Sequence, residues 1–225
     1  MGKTWAIVPV KAFDRAKSRL FAVMTGEQRA GLARLMAIEV LRALIRTPEI
    51  DAVLLLGQGL EQETLAGRLG CDYTNDRAGL GLSANLTRVV QRPDIRRAKN
   101  LLVIPGDLPG LVSADVTRLV RGHKSGVTIC RAARDGGTNA LLVSSPSGME
   151  FCFGADSANQ HIAAARSAGL AVRCLNDSAF ARDIDTPDDI RWLCCSNQAS
   201  DTVRYLQQSG CLLKLNNLLE TAVNA

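Results

Sequence analysis

The sequence predicts an α/β fold, a three-layer sandwich built on a mostly parallel sheet. Two observations lead to this prediction: short apolar runs alternate with segments of helical periodicity, and helix-start and helix-stop signals separate them. Strands and helices that alternate in this way are joined by right-handed crossovers between parallel strands. With 225 residues, of which 47% are hydrophobic, the chain is long enough to bury one sizeable core.

The chain opens with a predicted strand followed by a helix. Residues 5–10 form a short, partly β-branched apolar run that leads directly into a loop, as a buried strand does. Thr25 and Gln28 have the spacing of a capping box, and apolar residues then recur at helical intervals until Pro48. This segment is the predicted first crossover helix.

Further strand and helix signals follow in alternation. Residues 61–69 predict a second helix that Gly70 closes, and Ser157 with Gln160 has capping-box spacing at the start of a helix that runs to Gly169. The other predicted strands are residues 52–56, 101–105, 127–130 and 141–143.

We expect one domain over residues 1–195 and a C-terminal extension over residues 196–225. Within the extension, residues 203–219 are amphipathic and rich in leucine. The extension is therefore expected to be helical and to pack on the core or on a second subunit.

Composition narrows the classes of partner. The chain has 27 basic and 22 acidic residues, a net charge of +5 that suits anionic molecules. Aromatic residues make up only 4% and are not interleaved with a basic run, which argues against a surface for stacking nucleic-acid bases. We therefore expect phosphorylated metabolites and no nucleic acid.

Cysteine usage and hydropathy indicate a cytoplasmic protein. The seven cysteines are an odd number and contain no C-x-x-C pair, which argues against a disulfide scaffold or a zinc site. Nowhere do 18 apolar residues run together, and the N-terminus lacks the layout of a signal peptide. We expect no contact with a membrane.

Three cations follow the first predicted strand. Lys11, Lys17 and Arg19 lie within nine residues of one another, and such a loop can fold over a triphosphate. A solvated basic turn is the alternative reading, but a position directly after a buried strand favours the phosphate role. The loop is not a Walker A motif, because G-x-x-x-x-G-K-[ST] is absent.

Two separated carboxylate sites are candidates for a divalent metal. Asp107 follows the strand predicted at residues 101–105. Asp183 and Asp185 are two residues apart, so in an extended segment both point to one side. Asp107 and Asp185 are the predicted metal ligands, with a turn or cap role as the alternative for Asp107.

A further group of residues is suited to bind an anion. Gly136 and Gly137 precede Thr138 and Asn139, and Gly154 lies shortly before Ser157, at the start of a predicted helix. Free N–H groups at helix N-termini bind anions. His161 has no partner at metal-ligand spacing and is expected on the surface or on a helix face.

Taken in order, V-P-V-K with A-K-S-R-L, D-L-P, G-G-T-N-A-L-L and D-I-D-T-P resemble the 2-phospho-L-lactate guanylyltransferase family. That family makes the phosphodiester intermediate of coenzyme F-420. The resemblance implies a GT-A-like nucleotidyltransferase fold (nucleotide-diphospho-sugar transferase-like), GTP as donor, Mg²⁺ as cofactor, pyrophosphate as product and a homodimer. The acceptor is 2-phospho-L-lactate, phosphoenolpyruvate or 3-phospho-D-glycerate.

The resemblance also implies a role for each matching residue. Lys17, Arg19 and Asp107 are implied to be catalytic, and Asp107 and Asp185 to hold the metal. The nucleotide is implied to contact Pro9, Val10, Lys11, Lys17, Gly81, Ser83, Asn85 and Pro105. The acceptor is implied to contact Thr138, Asn139, Gly154, Asp156 and Ser157.

Two departures from the family pattern bear on specificity. The usual G-L-N reads Gly81-Leu82-Ser83 here, which leaves Asn85 as the candidate for the guanine or ribose contact. Asp156 stands in the acceptor loop where the family often has glycine, and its carboxylate suits the free hydroxyl of 3-phospho-D-glycerate, the acceptor we favour. The competing readings are a molybdopterin-type nucleotidyltransferase and a non-catalytic nucleotide-binding module.

Overall fold

The computed structural model describes residues 2–196 and 200–223. Within these residues, one sheet of seven strands has the order β3-β2-β1-β4-β6-β5-β7. The strands are Thr4–Val10 (β1), Ala52–Gly57 (β2), Asp72–Asn75 (β3), Asn100–Val103 (β4), Val127–Arg131 (β5), Thr138–Ser144 (β6) and Val172–Leu175 (β7).

Helices connect most of the strands. The α-helices are Gly26–Ile45 (α1), Leu60–Leu69 (α2), Gly81–Val89 (α3), Pro93–Arg96 (α4), Ser113–Gly122 (α5), Ser157–Ser167 (α6), Pro187–Cys195 (α7), Asp201–Gln208 (α8) and Cys211–Val223 (α9). In the parts of the chain that the structure describes, none of these helices is both long and apolar enough to cross a membrane.

The sheet is parallel except for β6. Strand β1 pairs in parallel with β2 and β4, while β6 runs antiparallel to both β4 and β5. The β5–β6 connection is short, and Gly136 in it has a φ of 68°, a left-handed conformation that favours glycine. The predicted mostly parallel α/β sheet is therefore confirmed.

Side chains alternate between the two faces of the sheet and form two cores. On β1, Ala6 and Val8 pack into the cluster that includes residues of α1, α2 and α5. Trp5 and Ile7 point to the opposite face, where residues of α3, α4 and α6 cover them. Helices on both faces of one sheet make the three layers of the predicted sandwich.

A third cluster joins the C-terminal helices to the rest of the molecule. Leu206 of α8 and Cys211 of α9 are buried with Leu32 of α1 and Leu193 of α7. The same cluster contains Leu20 and two further residues of the segment after β1, Val23 and Met24. The C-terminal helices thus lie against the base of the loop that carries Lys17 and Arg19.

The structure adds two details to these expectations. The two short edge strands β3 and β7 are not signalled by the sequence pattern. The amphipathic segment 203–219 is two helices, α8 and α9, separated near Gly210. Residues 197–199 and 224–225 of the predicted extension lie outside the described residues.

The capping box predicted at Ser157 is wrong. Asp156 occupies the N-cap position of α6 in a left-handed conformation, with φ 53° and ψ 28°, and its side chain makes no capping hydrogen bond. Ser157 is the first helical residue, and its side chain is only 1% exposed. By contrast, the box at Thr25 and Gln28 is present, with both reciprocal hydrogen bonds formed.

Candidate active site

A cleft of about 650 Å³ lies beyond the carboxyl ends of β1, β2, β3 and β4. Ligands of open α/β sheets bind at this edge. Among the residues predicted for the site, those that line the cleft are Pro9, Val10, Lys11, Lys17, Arg19, Gly81, Pro105, Asp107, Thr138 and Asp185. A larger cavity of about 1160 Å³ between α1, α5 and α8 is lined by none of the predicted residues.

Lys17 joins the two carboxylates predicted to hold a metal. Its Nζ lies 2.6 Å from Oδ2 of Asp107 and 3.8 Å from Oδ1 of Asp185. The backbone N–H of Ile184 donates to the carbonyl of Asp107 at 3.1 Å, which holds the two loops together. The structure therefore brings together two carboxylates that are 78 positions apart in the sequence.

The backbone of Lys17 is held in an unfavourable conformation. Its φ of 54° and ψ of 40° place a non-glycine residue in the left-handed region. The side chain is only 7% exposed, so the ammonium group is directed inward onto the carboxylates. Strain of this kind persists where the surrounding structure enforces it, and it is concentrated at functional sites.

Asp107 has one oxygen that is not used within the protein. Oδ1 of Asp107 is buried and has no hydrogen-bond partner in the described residues. Burying such an oxygen without a partner is unfavourable by about 1–3 kcal/mol, more for a charged group. The same described residues contain no group of three or more His, Cys, Asp or Glu side chains arranged to hold a metal. A metal ion bound by Asp107 and Asp185 would therefore have two carboxylate ligands from the protein and would need further oxygen ligands from water or substrate.

Arg134 adds a cation that the sequence does not signal. It comes from the β5–β6 connection and lies 3.5 Å from Asp185, 3.3 Å from Asp183 and 3.2 Å from Asp189. Burial raises the pKa of Asp183, and the negative charge of Asp107 raises it further. The carboxylates lie so close together that they repel one another, and the neighbouring cations reduce this repulsion.

The mouth of the cleft carries three exposed cations. Lys11 and Arg15 line the cleft and are exposed. As far as the structure describes the chain, neither forms a salt bridge within the protein. Arg19, which is 66% exposed, donates to Asp185 at 2.7 Å. Arg15 belongs to this group although it is absent from the predicted set.

Thr138 is oriented by a buried network. The N–H of Cys152 donates to Nε2 of His161 at 2.9 Å, so the proton of this imidazole is on Nδ1. Nδ1 then donates to Oγ1 of Thr138 at 3.0 Å, and Oγ of Ser157 donates to the same oxygen at 3.1 Å. Because Thr138 accepts twice, its own hydroxyl hydrogen remains available to donate to a further group.

His161 lies on a face of helix α6, one of the two positions expected for it, and this face is buried. It is 0% exposed, and burial lowers its pKa to about 4. The ring is therefore neutral near pH 7 and works as a fixed donor to Thr138. The partners of His161 come from β6 and from the loop before α6, so no local sequence pattern signals this role.

Several residues predicted to touch ligands do not line the cleft. Among the described residues, those outside its lining are Ser83, Asn85, Asn139, Gly154, Asp156 and Ser157. Asp156 is exposed and accepts a hydrogen bond from Asn159 at 2.7 Å. Ser83 accepts from the N–H of Phe153 at 2.8 Å and so holds the loop before α6.

Asn85 braces a loop rather than facing the cleft. It is 0% exposed, and its Oδ1 accepts from the N–H of Arg77 at 3.0 Å. Its Nδ2 donates to the carbonyl of Gly81 at 3.0 Å and to the carboxylate of Asp76. The two amide ends of Asn85 are thus engaged within residues 76–81.

Comparisons with known proteins identify the family of the chain. The family described as "Guanylyl transferase CofC like" matches residues 4–221. The phosphoenolpyruvate guanylyltransferase of Roseiflexus sp. (strain RS-1) is 40% identical, over 88% of this chain and 86% of its own length. The 2-phospho-L-lactate guanylyltransferase of Methanothermobacter thermautotrophicus is 29% identical, over 92% and 91%.

A solved structure supports the fold. A Desulfovibrio desulfuricans G20 protein assigned to the nucleotide-diphospho-sugar transferases superposes with a TM-score of 0.78 at 20% identity, covering 96% of this chain and 98% of that one. This similarity confirms the expected nucleotide-diphospho-sugar transferase-like fold. Because the family match spans nearly the whole chain and a 40% identical relative covers most of it, the protein belongs to the CofC-like guanylyl transferase family.

Proposed function

We propose that this protein transfers GMP from GTP to the phosphate of a small phosphorylated carboxylic acid, with release of pyrophosphate, as a step in coenzyme F-420 biosynthesis. The observation that carries the proposal is the pairing of Asp107 and Asp185 through Lys17 at the carboxyl edge of the sheet. The names of the relatives, which are guanylyltransferases, support GTP as the donor.

Asp107 and Asp185 fit a Mg²⁺ ion. Both supply hard oxygen ligands, Oδ1 of Asp107 is buried without a partner among the described residues, and the Lys17 ammonium lies between the two carboxylates, where a cation is stabilised. When bound there, Mg²⁺ supplies positive charge to the phosphates of the donor and the acceptor. The remaining ligands are expected to be phosphate and water oxygens.

Side chains of the protein bind and orient the two substrates. In this proposal Lys11, Arg15 and Arg19, which line the cleft, bind the triphosphate. The hydroxyl of Thr138, also in the lining, donates to the acceptor. An oxygen of the acceptor's phosphate attacks the α-phosphorus of GTP, the bond from that phosphorus to the bridging oxygen breaks, and its electron pair leaves with pyrophosphate. An ionised phosphate needs no general base, so catalysis consists of juxtaposing and neutralising two polyanions.

Two observations favour different acceptors. The presence of Asp156 favours 3-phospho-D-glycerate, but this carboxylate is exposed, hydrogen-bonded to Asn159 and outside the cleft lining in the described residues. The name of the 40% identical Roseiflexus relative favours phosphoenolpyruvate. We therefore propose phosphoenolpyruvate first, with 3-phospho-D-glycerate and 2-phospho-L-lactate as the competitors.

The proposal is tested with the purified protein, Mg²⁺ and each nucleoside triphosphate against the three phosphorylated acids. Pyrophosphate release and product mass are measured together. We expect release only with GTP and an acceptor, and a product whose mass is that of GMP joined to the acid. No turnover with GTP and any acceptor contradicts the enzymatic assignment and leaves a non-catalytic nucleotide-binding module.

We also propose that the enzyme is a homodimer in the cytoplasm, as the family resemblance implies. Sedimentation equilibrium distinguishes this from a monomer, because the chain mass is 24.1 kDa. A single species at the monomer mass over the working concentration range would contradict the homodimer.

A further inference from the structure

One end of the cleft is lined by residues that the phosphate chemistry does not use. Gln58 follows β2, and Asp76 and Arg77 follow β3, while Lys17 and Asp107 lie at the opposite end. The sheet order β3-β2-β1-β4 separates the ends of β3 and β4 by three strand intervals, or about 14 Å at about 4.8 Å each. An extended nucleoside triphosphate spans a comparable distance, so its base falls near Asp76.

The Asp76 carboxylate is held rigidly at this end. Its Oδ2 accepts from Nε2 of Gln58 at 3.1 Å, and its Oδ1 accepts from Nδ2 of the buried Asn85. The N–H of Asp76 donates to the carbonyl of Gly57 at 2.6 Å, which fixes the backbone. Each carboxylate oxygen has a second lone-pair direction, so both oxygens keep the capacity to accept one more hydrogen bond.

We infer that Asp76 selects guanine by accepting hydrogen bonds from its N1–H and its 2-amino group. Guanine presents these two donors side by side on one edge. On the corresponding edges, adenine and cytosine place a ring-nitrogen acceptor beside their amino group, and uracil flanks its single N–H with two carbonyls. A carboxylate, which only accepts, therefore pairs fully with guanine and faces an acceptor in each of the other three.

Neighbouring residues fit this role. Leu82 and Gly79 also line the cleft at this end, and Leu82 offers an apolar surface to a base. Gly81 has a φ of 77°, and the space where a Cβ would lie is open in the described structure. Asn85 is accordingly a positioning residue that fixes Asp76, in place of the direct nucleotide contact expected for it.

The inference rests on the proposed GTP-dependent function. Measurements of nucleotide affinity test the inference independently of guanylyl transfer. Affinities are measured without acceptor, by competition against a fluorescent GTP analogue in the presence of Mg²⁺. For the wild-type protein we expect inosine triphosphate, which lacks the 2-amino group, to bind at least about tenfold more weakly than GTP. Equal affinities overturn the inference even if guanylyl transfer is found, and GTP selectivity without transfer contradicts the proposed function alone.

The decisive variant is Asp76→Asn, assayed with GTP and xanthosine triphosphate. Xanthine replaces the 2-amino group by a carbonyl, so an amide, which has one acceptor and one donor, matches it. We expect wild-type protein to prefer GTP at least about tenfold and Asp76→Asn to reverse that preference. An unchanged ratio, or equal loss of both nucleotides, overturns the inference. Asp72→Asn is the matched control at the other end of β3 and keeps the wild-type ratio.

Discussion

At the scale of single residues, the site is defined by charge that the fold leaves only partly compensated. Asp107 pairs with Lys17 through one oxygen, while its other oxygen is buried without a hydrogen-bond partner in the part of the chain described. In addition, the backbone of Lys17 is held in an unfavourable left-handed conformation. Both features are accounted for if Mg²⁺ and phosphates complete the site during the reaction.

Asp107→Asn tests this reading of the carboxylate. An amide keeps the shape of the side chain but removes the negative charge, so the fold is expected to remain and turnover to fall by at least about 10²-fold. Pyrophosphate release measures the turnover, and circular dichroism reports the fold. The control is Asp177→Asn, which removes a carboxylate paired with Arg118 on the surface, outside the cleft lining, and is expected to leave turnover unchanged. Near-normal activity of Asp107→Asn would contradict the metal role.

The hydrogen bonds of His161 could not be predicted from the sequence, whereas the cations of the site could. The cations Lys11, Lys17 and Arg19 are predictable because they directly follow a buried strand. His161 is not, because its partners Thr138 and Cys152 reach it only through the packing of α6 against the sheet. Its burial keeps the ring neutral, and the bond from the Cys152 N–H to Nε2 leaves the proton on Nδ1, which donates to Thr138.

A pH series on His161→Gln measures this burial. The pKa of His161 is lowered to about 4 in the folded protein, below the ordinary 6.5. Between pH 6.5 and 4 the unfolded chain therefore binds a proton that the folded chain does not, and stability falls as the pH falls through that window. The loss reaches on the order of 3 kcal/mol near pH 4.

His161→Gln has no such titration at this position. Whatever its stability at pH 7, its free energy of unfolding is expected to fall less steeply than that of the wild type between pH 6.5 and 4. Urea denaturation at several pH values gives both curves. Parallel curves for the two proteins would show that His161 titrates normally in the fold.

At the scale of elements, burial decides which parts of the fold can be predicted. Strands β1, β2 and β4 are central and read as continuous apolar runs. Strands β3 and β7 lie at the two edges of the sheet, and their burial patterns are intermediate to exposed. A short, polar edge strand has no periodic signal of its own, since its pairing is set by the neighbouring strand.

The start of α6 was predicted at the right place with the wrong capping residue. Ser157 and Gln160 match a capping box in sequence, but Ser157 donates its hydroxyl to Thr138 instead. The tertiary contact across to β6 outweighs the local one, and Asp156 takes the cap position with a positive φ. A local motif is thus overruled when its side chain is buried against another element.

The C-terminal helices are predicted to stabilise the loop that carries Lys17 and Arg19. Leu206 of α8 is 0% exposed in the cluster that also holds Leu20 and Met24, so Leu206→Ala is expected to destabilise the protein by about 2–5 kcal/mol. Leu213→Ala on α9 is the matched control, because Leu213 is 71% exposed, and is expected to change stability by less than about 0.5 kcal/mol. Thermal or urea unfolding compares the two, and equal effects would contradict the packing role.

At the scale of the whole molecule, the parallel sheet brings residues that are far apart in the sequence close together in space. The carboxyl ends of β1 to β4 open onto one cleft, which gathers residues from position 9 to position 185. This principle is sufficient to predict that Lys17 and Asp107 converge, because the loops that carry them follow β1 and β4. It does not predict the position of Asp185, and it is insufficient for the end of the cleft near Asp76, because the short strand β3 has no sequence signal that shows where its loop lies.

The proposed reaction requires Asp107 and Asp185 to hold one divalent cation together against the phosphates of GTP. A crystal structure with a non-hydrolysable GTP analogue and Mn²⁺ tests this requirement, because the anomalous signal of Mn²⁺ locates the ion. We predict one ion within coordination distance of both carboxylates and of phosphate oxygens, with Lys17 moved off Asp107 onto the phosphates. A bound nucleotide with no ion at these carboxylates, and Lys17 still between them, would contradict the proposed reaction.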